Sequence, residues 1–124
     1  MKETIKFVLN GKKYEIGYSI GQLRTFEHLM GHSIIAVFNK PSKIVEEMSI
    51  DFTTAGIAAG CLDTTGENPQ EFKTTDAVYD FMDEYCAAGG TLGELNDYIM
   101  TAVIKTGLFI PGQKKKTART KKTK

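Results

Sequence analysis

TIKFVLNGKKYEIGYS, residues 4–19, decides the fold. Residues 4–9 and 12–18 alternate apolar and polar side chains around Asn10-Gly11. That dipeptide suits a two-residue type I′ turn, whose central positions both need positive φ. Counting outward from it sets Leu9 opposite Lys12, Phe7 opposite Tyr14 and Ile5 opposite Ile16 on one face. Lys6 then meets Glu15 on the other face as a cross-strand ion pair. A two-stranded ribbon is unstable alone in water, so its Ile5/Phe7/Tyr14/Ile16 face must cover something.

The rest of the chain offers helices for that purpose. Ser19 with Gln22 forms a capping-box pattern, and Ile20, Leu23, Phe26, Leu29 and Met30 follow at helical spacing until Gly31. A short apolar run, Ile34 to Phe38, ends at Asn39-Lys40-Pro41, after which Ser42 caps a short helix through Met48. Asp51 caps a small-residue helix from Phe52 to Leu62, in which Ala55, Ala58 and Ala59 permit close packing while Gly56 and Gly60 weaken it. Residues 63–73 read as a polar loop. Thr75 caps a helix from Asp76 to Ala88 with the stripe Val78, Phe81, Met82, Tyr85, and Gly89-Gly90 ends it. Thr91 with Glu94 repeats the capping box and starts a helix from Leu92 to Thr106, striped by Leu92, Leu95, Ile99, Ala102 and Val103. These last two helices should pack as an antiparallel pair. The expected fold is α+β and mainly helical, an N-terminal β-hairpin on about five short helices. Residues 1–110 form one globular domain and 111–124 a Lys-rich tail whose composition predicts disorder.

Composition narrows the function. A chain of 124 residues has room for one modest core. No apolar run approaches the ~20 residues of a membrane helix. Met1-Lys2-Glu3-Thr4 lacks the charged and then apolar segments of a secretory signal, so a cytosolic location is expected. Cys61 and Cys86 form no CxxC pair and read as two small buried residues in a reducing compartment. Seven of the 16 Lys and Arg residues fall within Gly112–Lys124, which has no acid, leaving nine against 15 acidic residues elsewhere. The body thus carries −6 beneath a basic tail. Lys114, Lys115, Lys116 and Arg119 could grip phosphate backbones non-specifically, which makes a small nucleic-acid-binding or regulatory protein the alternative function. The tail has no interleaved aromatic residue to stack on bases, and the acidic body repels nucleic acid.

Chemistry is hard to find. The chain has no Gly-rich phosphate loop, no GxSxG elbow and no HExxH pair, so no enzyme activity, metal or cofactor is expected. His28 and His32 stand four apart, but Gly31 between them breaks the helix that would align them on a metal. Asp76, Asp80, Asp83 and Glu84 oppose the apolar stripe of their helix and read as its solvated face. Asp63 to Asn68 lacks the ligand spacing of a calcium loop and reads as a turn. Large apolar residues, by contrast, exceed what the stripes need. Tyr79, Tyr98, Met100, Ile104, Leu108, Phe109 and Ile110 fall off or beyond them. They suit a partner-binding or homo-oligomer surface as well as a second packed face within the domain.

The order of these features resembles a known family. The hairpin leads directly into SIGQLRTFEHLMGHSI (residues 19–34), compact helices follow, and the series ends in TLGELNDYIMTAVIKTGLF (residues 91–109). Residues 4–109 resemble the tail assembly chaperones of long-tailed bacteriophages and prophages, particularly those of Gram-positive hosts. The resemblance implies a non-catalytic helper in the host cytoplasm. Such a helper binds the long, apolar, helical tape-measure protein and recruits tail-tube subunits around it. It also implies a longer form made by programmed frameshifting, for which the Lys codons at 114–116 would be the slippery site.

Overall fold

A computed structural model describes residues 3–31, 33 and 49–108. Within them the hairpin forms in the expected register. β1 (Ile5–Leu9) and β2 (Lys12–Ile16) pair Leu9 with Lys12, Phe7 with Tyr14, Lys6 with Glu15 and Ile5 with Ile16. Asn10 at φ 50° and Gly11 at φ 82° supply the two left-handed positions of the turn. Among the described residues four helices follow, α1 (Ile20–Met30), α2 (Ile50–Gly60), α3 (Thr75–Ala87) and α4 (Leu92–Lys105). The expected helix from Ser42 to Met48 and the run Ile34–Phe38 lie outside the described residues. The architecture is α+β.

Capping chemistry sets the helix ends. Ser19 and Thr91 both close full capping boxes, with Gln22 and Glu94 returning a bond to the cap backbone. Gly31 ends α1 in the left-handed conformation at φ 82°. Two expected caps move by a residue or two: Ser49, not Asp51, accepts from Phe52 N, and Thr74, not Thr75, accepts from Ala77 N. In each case the hydroxyl upstream reaches the first free amides, and Asp51 and Thr75 become the first-turn residues instead.

The expectation of a loop over residues 63–73 is corrected. α2 stops at Gly60, and the chain passes without a turn into β3 (Cys61–Asp63), which returns through β4 (Gln70–Glu71). The sheet is four-stranded and antiparallel in the order β1-β2-β3-β4, with Ile16 opposite Cys61 and Tyr14 opposite Asp63. A third strand gives β2 partners on both edges, which is how the hairpin escapes the marginal stability of an isolated ribbon. Backbone bonds seal the junction: Gly17 N donates to Gly60 O at 3.0 Å, and Thr64 N to Lys13 O at 2.7 Å.

α2 lies at the centre, packed on α1, α3, α4 and the sheet, and seven of its eleven residues are buried. A helix this apolar needs neighbours on most of its sides. The two glycines that argued against the helix make it possible. A Cβ on Gly56 would sit 2.7 Å from Ile99 Cδ1, and one on Gly60 would sit 2.8 Å from Gly17 O. Tyr18, fully enclosed, donates its hydroxyl to Gly56 O at 2.7 Å, and its ring stacks on Phe26. Thr53 donates to Asn96 Oδ1 at 2.6 Å across the α2–α4 interface, so the two buried polar side chains satisfy each other.

Candidate functional site

Two apolar regions flank α2, and they end differently. Beneath the hairpin, Phe7 stacks on Tyr14 (ring centroids 5.5 Å apart) and on Tyr98 (5.0 Å), and Phe81 meets Tyr14 edge-on at 5.0 Å. Tyr85 closes the cluster. Its hydroxyl donates to Glu94 Oε1 at 3.1 Å, the oxygen that also caps α4 by accepting from Thr91 N. Burial first, then the Tyr98 hydroxyl and the Glu94 carboxylate, hold the Tyr85 phenol well above its ordinary pKa. Tyr14 is pushed up to about 12 by burial and then by Asp63, Glu84 and Cys61. Burial likewise raises the Cys61 thiol, with Asp63 adding to it, so this cysteine is a packed apolar residue and no nucleophile. Cys86 differs from the sequence expectation: it is exposed on α3, and both thiols are free.

On the opposite side of α2 the packing stops short. The end of α1 (Leu29, Met30), the outer face of α2 (Asp51, Phe52, Thr54, Ala55, Ala58) and the start of α3 (Thr75, Tyr79) border a groove of about 350 Å³, with Ser49 at its end. Leu29 is 51% exposed and Tyr79 44%. Leu29 and Ile20 were expected on the buried stripe of α1, and the structure corrects this. Among the described elements α1 packs mainly on α2, burying Leu23 and Phe26 and leaving Ile20 and Leu29 exposed. Two of the hydroxyls in the groove serve the first turn of α2. Ser49 Oγ accepts from Phe52 N, and Thr54 Oγ1 donates to Ile50 O at 2.8 Å. What the groove offers a partner is therefore a mixed surface, with Leu29, Met30, Ala58 and the Tyr79 ring beside Ser49, Asp51, Thr54 and Thr75.

Of the partner-surface residues singled out in the sequence, Tyr79 lines this groove and the others do not. Tyr98 is half-buried in the aromatic cluster, and Met100 packs half-buried against the core. Ile104 is half-buried, while Leu108, just past the end of α4, is exposed. Phe109 and Ile110 lie outside the described residues, as do Lys114, Lys115, Lys116 and Arg119 of the tail. Leu29 and Met30 were missed because helical spacing assigned them to the core. The signal that could have found them is their position in the last turn before Gly31, where few elements remain to cover a side chain.

The remaining candidates for chemistry are dispersed. Asp76, Asp80, Asp83 and Glu84 are exposed on α3, and Glu84 accepts from Asn10 Nδ2 at 2.8 Å, pinning the hairpin turn to that helix. His28 is exposed in the last turn of α1, and His32 lies outside the described residues. Asp63 accepts from Thr65 N at 2.9 Å, closing the turn after β3, and hydrogen bonds from Thr65 hold its carboxyl below the usual range. Among the described residues no three His, Cys, Asp or Glu side chains gather as a metal site, and no helix is long and apolar enough to cross a membrane. Compared with protein-family models, with curated proteins and with solved structures, the chain matches none.

Proposed function

We propose that this protein is a non-catalytic tail assembly chaperone of a long-tailed phage or prophage, acting in the host cytoplasm. It binds the tape-measure protein, keeps that long apolar helical chain in solution, and brings tail-tube subunits to it. The observation that carries the reading is the groove between α1, α2 and α3, where Leu29 and Tyr79 remain about half exposed beside a helix most of whose residues are buried. A groove in which exposed Leu29 and Tyr79 stand beside polar side chains suits an amphipathic helix, recognised through side chains at i, i+3, i+4 and i+7. The order of elements, a hairpin leading directly into a capped helix and then further helices, supports the same assignment, although the last two helices pack on α2 rather than chiefly on each other as expected.

Co-expression tests it. The tape-measure protein should remain in the soluble fraction and co-purify with this chain, and Leu29→Ser with Tyr79→Ser should release it. A tape-measure protein that precipitates equally with and without this chain overturns the reading.

A further inference from the structure

A second recess lies between β4 and α3, away from the groove. Its floor is aromatic: Tyr14, Phe72 and Phe81, with Phe72 5.2 Å from Phe81 and nearly parallel to Tyr14 at 6.4 Å. Tyr14 and Phe81 are buried, so the half-buried Phe72 presents the accessible ring. Around this floor stand Asp63, Glu71, Asp80 and Glu84, opposed by one cation, Lys12. Asp63 and Glu84 already accept hydrogen bonds from Thr65 and Asn10. Glu71 and Asp80 have neither a hydrogen-bond nor an ion-pair partner among the described residues. The recess holds about 270 Å³. A ring face with carboxylates at its rim is the chemistry that takes an organic cation. The cation is attracted to the π face, and its N–H groups donate charge-assisted bonds to the acids.

We infer that this recess binds Lys or Arg side chains of the chain's own basic segment, Gly112–Lys124. The segment carries seven cations and no acid against a body of net charge −6, so the two are complementary. Reach is sufficient. The six residues from Leu108 to Lys114 span at most about 20 Å and the sixteen to Lys124 about 55 Å, whereas a domain of this length has a radius of gyration of about 13 Å. Tethering sets the local concentration of the segment near the millimolar range, where individually weak ion pairs and ring contacts are populated. Salt weakens the contact, because the rim carboxylates are exposed and screened over about 10 Å at 0.1 M. This inference is independent of the chaperone reading, since it concerns neither the groove nor a second protein.

The test uses the full chain carrying Cys86→Ser, which removes the exposed thiol, and Thr117→Cys, which takes a nitroxide spin label. At low ionic strength the amides of Gln70, Phe72, Ala77 and Asp80 should be broadened several-fold more than those of Leu23 and Thr25 on α1. In 0.5 M NaCl the difference should vanish. Glu71→Gln with Asp80→Asn should reduce the broadening about threefold and Phe72→Leu about twofold, while Asp51→Asn with Asp97→Asn, the same charge change elsewhere, should leave it unaltered. Broadening spread evenly over the surface, or equal loss in the control pair, overturns the site. Broadening that appears only when the label is on a different molecule from the observed amides overturns docking within one chain.

Discussion

The two sides of α2 use the same kinds of residue and reach opposite ends. Under the hairpin, Phe7, Tyr14, Phe81, Tyr85 and Tyr98 form one connected ring cluster. Across the helix, Leu29, Met30 and Tyr79 face each other over a gap. What differs is the cover. β2 gains β3 on its second edge, so the sheet covers more of the core than the hairpin alone would, whereas Leu29 and Tyr79 keep about half of their surface exposed. Stability should therefore reside on the sheet side, and recognition on the side where burial is incomplete.

The sharpest way to break this division is to remove a ring from the sealed side. Phe81 touches Phe7, Tyr14, Phe72 and Tyr85. Phe81→Ala should lower unfolding stability by about 3–5 kcal/mol, from lost transfer energy plus the cavity left among rings that cannot collapse. In a domain of this size that is a drop of more than about 10 °C in Tm. A calorimetric scan showing a loss under 1 kcal/mol would mean that the cluster is loosely packed and the division is false.

How far each region was legible in the sequence follows the same line. The hairpin register could be read to the residue because Asn10-Gly11 fixes the turn locally, and both capping boxes could be read because Ser19/Gln22 and Thr91/Glu94 act within four residues. β3 and β4 could not. Three residues and two residues are too short to show alternation, and Gln70-Glu71 is strand only because Leu62 and Asp63 lie beside it. The glycines of α2 misled for a related reason. Helix propensity counts their backbone entropy, but the approach of Ile99 to Gly56 is a tertiary fact. The groove was half legible. Tyr79 stood off its stripe, whereas Leu29 stood on one, and which elements pack on α1 decides that Leu29 stays exposed. No periodicity in α1 carries that information.

Alkaline titration sharpens the comparison with a smaller, graded effect. Tyr14, Tyr18 and Tyr85 and the Cys61 thiol all hold their protons more tightly in the fold than in the unfolded chain, chiefly because they are buried. The unfolded chain releases a proton from cysteine near pH 9 and from tyrosine near pH 10, while folded Tyr14 keeps its own until about 12. Above pH 9 the unfolded state binds fewer protons, so stability falls as pH rises and is fully present below that point. Urea midpoints should be level from pH 7 to 8.5 and decline steadily between 9 and 12. A midpoint unchanged to pH 11.5 would show that these phenols reach water.

The smallest expected effect on stability falls on the open side, and its smallness is the point. Leu29→Ser and Tyr79→Ser remove side chains that are about half in solvent, so neither should shift unfolding stability by more than about 0.5 kcal/mol. A residue selected only for packing would be more buried than these are, and its loss would cost more. If a groove-bound helix rests on Leu29 and Tyr79, the same two changes should weaken its binding by tenfold or more, because truncating a central anchor costs above 1 kcal/mol where packing excludes water. Thermal unfolding and binding measured on the same variants separate the alternatives. Loss of stability without loss of binding would make the groove an unfinished edge of the core, and loss of binding at constant stability would make it the working surface.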